Sequence, residues 1–126
     1  MARVLVVDDD LNTVRIVTAR LTAKGHQVIG SLSPQEALDA VAARGRPDVV
    51  VLDVSMPQMS GLDLLTALRA QDGLADLPAI FLSARVLPEH IEAGRALGAT
   101  YLTKPFIASA LLNAIEEAVT PRLETW

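Results

Sequence analysis

Acidic residues close two apolar runs in this sequence, and that placement is where chemistry could occur. Val49-Val50-Val51-Leu52 ends on Asp53, and Val4-Leu5-Val6-Val7 ends on Asp8-Asp9-Asp10. Ala79-Ile80-Phe81-Leu82 ends on Ser83, and Thr100-Tyr101-Leu102-Thr103 ends on Lys104. Continuous apolar, β-branched runs without alternation read as strands covered on both faces. A buried parallel strand delivers the residue after it to the carboxyl edge of the sheet, where open α/β folds build their ligand sites. One edge therefore collects Asp8, Asp9, Asp53, Ser83 and Lys104. Carboxylates crowded into one crevice repel, so their ionised forms need a cation among them. Lys104 supplies one positive charge. The remaining deficit and the all-oxygen donor set point to a hard divalent ion that keeps several waters, Mg²⁺.

The elements between these runs read as helices. Leu11, Val14, Val17 and Leu21 recur at helical spacing, with Asp10 at the N-cap position and Gly25 as the C-terminal stop. Gln27-Val28-Ile29-Gly30-Ser31 is more polar than the other strand candidates, as an edge strand would be. Ser33-Pro34-Gln35-Glu36 is a capping box with proline at the first helical position, opening a helix to about Arg44 that Gly45-Arg46-Pro47 breaks. Ser60 can cap a helix carrying Leu62, Leu65 and Leu68. Residues 88–97 carry a short helix with Ile91 and Leu97 inward, stopped by Gly98. The last helix has Ile107, Leu111, Ile115 and Val119 at intervals of four. Strict alternation of five strands and five helices implies a doubly wound α/β domain with a parallel sheet and right-handed crossovers. We expect that domain over residues 1–120 and a short tail over 121–126.

Composition narrows the function classes. With 126 residues the chain has the size of one domain with one core. Apolar residues make up 51% and aromatics only 3%, so that core is aliphatic. Absence of cysteine removes disulfides and thiolate metal sites. The net charge of -4 argues against direct nucleic-acid contact, which needs a basic face. No apolar run approaches a membrane span, and the start has too short an apolar stretch for a signal peptide, so a cytoplasmic domain is expected. His26 and His90 read as surface or loop residues without the partner spacing of a metal site.

In four stretches the sequence resembles the receiver domain of two-component response regulators, over residues 3–119. They are Asp8-Asp9-Asp10 after its strand; Asp53 with Met56-Pro57-Gln58-Met59-Ser60-Gly61; Phe81-Leu82-Ser83-Ala84; and Gly98-Ala99-Thr100-Tyr101-Leu102-Thr103-Lys104-Pro105-Phe106. The resemblance implies a flavodoxin-like strand order 2-1-3-4-5. It implies Asp53 as phosphoacceptor, with Asp9 and Asp53 ligating Mg²⁺ directly, Asp8 acting through water and Ser55 offering its backbone carbonyl. Lys104 would pair with the phosphoryl group, Ser83 would close on a phosphoryl oxygen, and the orientation of Tyr101 would follow that closure. By itself Tyr101 reads only as an edge-strand aromatic. Ser55 and Arg85, two residues beyond Asp53 and Ser83, should flank the path of the attacking water, and Lys104-Pro105 should be cis.

The implied function is a phosphoacceptor signalling domain, not an enzyme in its own right, whose phosphorylation and dephosphorylation are self-catalysed. Its implied partners are a histidine kinase or phosphotransfer protein and, through the face of the last two helices and strand, an effector protein or a second receiver. A small hydrolase working through an aspartyl phosphate would want a second aspartate where Ser55 stands. A flavin or nucleotide binder would offer Gly, Ser and Thr amides after the first strand, whereas Asp8-Asp9-Asp10 would repel phosphate. An interaction module that is never phosphorylated would have no need of every motif residue.

Overall fold

The computed structural model describes residues 2–119, so the expected tail over 121–126, including Trp126, lies outside the described residues. Ten elements alternate: β1 Arg3–Val7, α1 Leu11–Ala23, β2 Gln27–Ser31, α2 Pro34–Arg44, β3 Val49–Leu52, α3 Gly61–Arg69, β4 Ala79–Ser83, α4 Pro88–Ala96, β5 Thr100–Thr103 and α5 Ala108–Val119. All strand pairs are parallel and the order is β2-β1-β3-β4-β5.

The uninterrupted apolar runs are explained by helices on both faces. Leu5, Val7, Val50, Leu52 and Phe81 share one core layer with Ala37, Val41, Leu64, Leu65 and Leu68 of α2 and α3. Their strand neighbours Val4, Val6, Val49, Val51, Ile80 and Leu82 share the other with Val14, Val17 and Leu21 of α1 and Leu111, Ala114 and Ile115 of α5. Because successive strand side chains alternate faces, both parities of each run are buried.

Local signals set the helix starts. The Asp10 carboxylate accepts the Asn12 amide at 2.9 Å, and Gly25, at φ 88°, follows the end of α1. The Ser33 hydroxyl accepts the Glu36 amide at 3.2 Å, while Glu36 reaches back one residue further than the standard box, to the Leu32 amide at 3.0 Å. Ser60 accepts the Asp63 amide at 3.1 Å.

The apolar stripes differ from expectation at helix ends. Leu11, the first residue of α1, is 44% exposed, and the buried stripe of that helix is Val14, Val17 and Leu21. Ile107 is 69% exposed: α5 begins at Ala108, so Ile107 lies outside the helix and its buried stripe is Leu111, Ala114 and Ile115. In α3 the fully buried leucines are Leu64, Leu65 and Leu68, and Leu62 is only half-buried. In α4 Ile91 is half-buried, as is Leu97 at its C-cap, and Gly94 is the one buried residue of the helix. No helix among the described residues is long and apolar enough to cross a membrane.

Candidate functional site

Three site residues are held by one extra rung of the sheet ladder each. Beyond the strand ends, the Asp8 amide donates to the Ser31 carbonyl at 3.1 Å, the Asp53 amide to Val7 at 3.0 Å and the Lys104 amide to Ser83 at 2.9 Å. Since Val7 pairs with Leu52, one further step of the register puts Asp8 beside Asp53. The peptide bond Lys104-Pro105 is cis, as expected.

Both buried carboxylates are split between lysine and backbone. Lys104 Nζ stands 2.7 Å from Asp8 Oδ2 and 3.2 Å from Asp53 Oδ2. The other oxygens accept amides: Asp8 Oδ1 from Asp10 at 2.9 Å, and Asp53 Oδ1 from Ser55 at 3.1 Å. Burial pushes the Asp8 carboxyl above the usual carboxylate range, and the charge of Asp53 adds to that, although Lys104 and the Asp10 amide pull the other way. For Lys104, burial alone would lower the ammonium pKa. The Asp8 hydrogen bond and the charges of Asp53 and Asp8 outweigh burial and raise it.

Asp8, Asp9 and Asp53 can each bring a carboxylate oxygen within 4.8 Å of the others. Asp8 and Asp53 are buried, at 2% and 8% exposure, and Asp9 faces solvent. Exposed acid clusters are commonplace, but two buried carboxylates sharing one lysine keep a surplus of negative charge that a cation would relieve. An all-oxygen set open to water on one side suits a hard divalent ion. Asp10 is not part of it, since its carboxylate is engaged in capping α1.

The loops around Asp53 are joined tightly. The Gly61 amide donates to the Val54 carbonyl at 2.9 Å, and a Cβ at Gly61 would stand 2.0 Å from the Asp53 carbonyl oxygen. Only glycine lets α3 begin there. Arg85 Nη2 donates to Ser55 Oγ at 3.0 Å, joining the loop after β4 to the loop after β3.

Ser83 is fully buried at the end of β4, and its hydroxyl accepts the Arg85 amide at 3.1 Å. Among the described residues no hydrogen bond joins Ser83 to Asp53. Tyr101 is half-buried on β5, opposite Phe81 in register, with ring centroids 6.0 Å apart. Its hydroxyl donates to the Arg85 carbonyl at 2.6 Å. Arg85 thus links Ser55, Ser83 and Tyr101. A Cβ on Gly94 would lie 2.9 Å from Tyr101 Cδ2 and 3.1 Å from Phe81 Cδ2, so α4 packs directly on the two rings. That glycine, in mid-helix where it weakens helix formation, was the available sequence signal. His26 lies in the loop before β2, as expected, and His90 lies on α4. His26 Nδ1 accepts the Ala2 amide at 3.0 Å, and both rings are half-buried.

The response regulator receiver domain family model matches residues 4–116. The transcriptional regulatory protein PrrA of Mycobacterium tuberculosis is 39% identical over 124 residues, 98% of this chain and 52% of PrrA. The transcriptional regulatory protein KdpE of the same species is 41% identical over 120 residues, 94% of this chain and 51% of its own length. The chain therefore spans about half the length of these relatives. Among solved structures, the Vibrio cholerae chemotaxis protein CheY4 superimposes with a TM-score of 0.86 at 34% identity, over 94% of this chain and 98% of its own.

Proposed function

The chain belongs to the response regulator receiver domain family of two-component signalling, and from that premise we propose that Asp53 is its phosphoacceptor. The observation that carries this reading is the position of Asp53: 8% exposed, with Oδ2 at 3.2 Å from Lys104 Nζ, beside Asp8 in the acidic cluster. In the proposed reaction an Asp53 carboxylate oxygen bonds to phosphorus as the N–P bond of a phosphohistidine breaks. The electron pair stays on the imidazole nitrogen, which takes up a proton. The donor is a histidine kinase or phosphotransfer protein.

The groups around Asp53 act by position and charge. Lys104 is closer to Asp8 than to Asp53, so its ammonium can meet a phosphoryl oxygen without leaving Asp8. Asp8, Asp9, Asp53 and the Ser55 carbonyl would hold Mg²⁺, which when bound supplies positive charge against the phosphoryl oxygens. Ser83 accepts the Arg85 amide with its oxygen, which leaves its own proton to donate to the phosphoryl group. Drawing Ser83 toward Asp53 would pull on the Arg85 backbone, to which the Tyr101 hydroxyl is bonded. The face of α4, β5 and α5 would then change. Val86, Leu87 and Ile107, at 57%, 53% and 69% exposure, flank it and fit an effector protein or a second receiver. In self-catalysed loss of the phosphoryl group, Ser55 and Arg85 would flank the path of the attacking water, with their mutual hydrogen bond opening to admit it. The receiver unit spans residues 1–120 and works in the cytoplasm.

Intact mass spectrometry after incubation with acetyl phosphate and Mg²⁺ tests the assignment. One phosphoryl group should be gained, and none by Asp53→Asn. Undiminished labelling of that variant would place the acceptor elsewhere.

A further inference from the structure

At the opposite, amino edge of the sheet, a cleft of about 430 Å³ opens between β1, β2 and α2. Leu5, Ile29, Val41 and Pro47 give it apolar walls, and Arg3 and Arg44 are among its other lining residues. Arg3 Nη2 donates to the Arg44 carbonyl at 2.9 Å, which fixes one guanidinium against the end of α2. Arg46, two residues on, donates to the Gly73 carbonyl. Among the described residues none of these three guanidiniums forms an ion pair. The neighbouring acid, Asp48, accepts the Arg3 backbone amide at 2.8 Å and forms no ion pair with these arginine side chains. In a chain of net charge -4, two arginines without ion pairs bordering one cleft stand out.

The volume falls in the range of small-molecule sites, and the lining mixes apolar walls with polar groups. Guanidinium forks take carboxylates and phosphates bidentately, and a patch of unpaired ones favours an anion. We propose that this cleft binds a small organic anion with an apolar body and one oxyanion head, the body against Leu5, Ile29 and Val41 and the head on Arg3 and Arg44. The site lies at the far end of the strands from Asp53 and does not depend on phosphorylation.

The test is amide-resolved NMR titration of the whole chain with three probes: 1-naphthoate, its neutral analogue 1-naphthalenemethanol, and inorganic phosphate. Naphthoate should give saturable shifts at Leu5, Ile29, Val41 and Gly45, unchanged in Asp53→Asn. Arg44→Gln, on the exposed end of α2, should weaken it about tenfold, the cost of one charge-assisted hydrogen bond. The neutral analogue and phosphate should each bind more weakly than naphthoate. Absence of saturable shifts, equal binding by Arg44→Gln, or equal binding of either control probe would overturn the proposal.

Discussion

Helices α3 and α4 are both nine residues long, and each follows a strand that ends at the candidate site, yet they are packed very differently. In α3 a serine caps the start, Gly61 lies against the Asp53 backbone, and Leu64, Leu65 and Leu68 are fully buried. In α4 the N-cap residue is Leu87 with no side-chain cap bond, and only Gly94 is buried. Arg69 at the end of α3 donates to the Leu77 and Leu97 carbonyls, so α3 also holds the far end of α4. Few buried contacts and an uncapped start mark the end of α4 nearer the site as the part that opens at low free energy. Within the proposed function the comparison sets a division of labour: α3 would keep Asp53 in place, and α4 would answer a change at Ser83.

That contrast can be broken by substitution. Gly61→Ala should be the most damaging change, because its Cβ meets backbone rather than a side chain. It should cost about 3 kcal/mol or more in urea unfolding and abolish phosphorylation with it. Leu68→Ala should cost roughly 2–5 kcal/mol, whereas Ile91→Ala, half-buried, should cost about 1 kcal/mol or less. Equal losses at the two positions would end the distinction between the helices. Gly94→Ala should lie near neutral, since overpacking of about 1 kcal/mol is offset by a similar gain in helix propensity. Its mark should be a displaced Tyr101 ring, read from aromatic NMR shifts.

A smaller effect comes from the edge that both helices border. The folded pKa of Asp8 is raised above its ordinary 3.8, so its ionised form is disfavoured in the fold and lowers stability at neutral pH. Asp8→Asn should therefore raise the urea midpoint at neutral pH. The gain should shrink as pH falls through the raised pKa toward 3.8. Lys104 has the opposite sign: its raised pKa contributes stability below the ordinary 10.5 that is lost as pH rises through the folded value.

The sheet and the membership of its carboxyl edge were legible in the sequence, because the apolar runs of β1, β3, β4 and β5 each end on a polar residue, Asp8, Asp53, Ser83 or Lys104. Caps at Asp10, Ser33 and Ser60 were legible for the same local reason, since their side chains bond amides three residues away or nearer. Helix ends were not. Periodicity gives the phase of a stripe but not where the layer beneath it stops, which is why Leu11 and Ile107 proved exposed. Nor could spacing reveal that α4 rests on Gly94 with Ile91 and Leu97 only half-buried, because that follows from how closely the helix approaches Tyr101 and Phe81. The Arg69 clamp joins carbonyls 8 and 28 residues away, beyond any local pattern.

Amide-resolved NMR of the chain before and after adding beryllofluoride with Mg²⁺, a stand-in for the phosphoryl group, tests the central division most directly. Shifts should be large at residues 53–55 and 83–85, should continue through the first half of α4 to Tyr101, and should be small at Leu64, Leu65 and Leu68. Movement of α3 as large as that of α4, or a Tyr101 indifferent to the mimic, would contradict it.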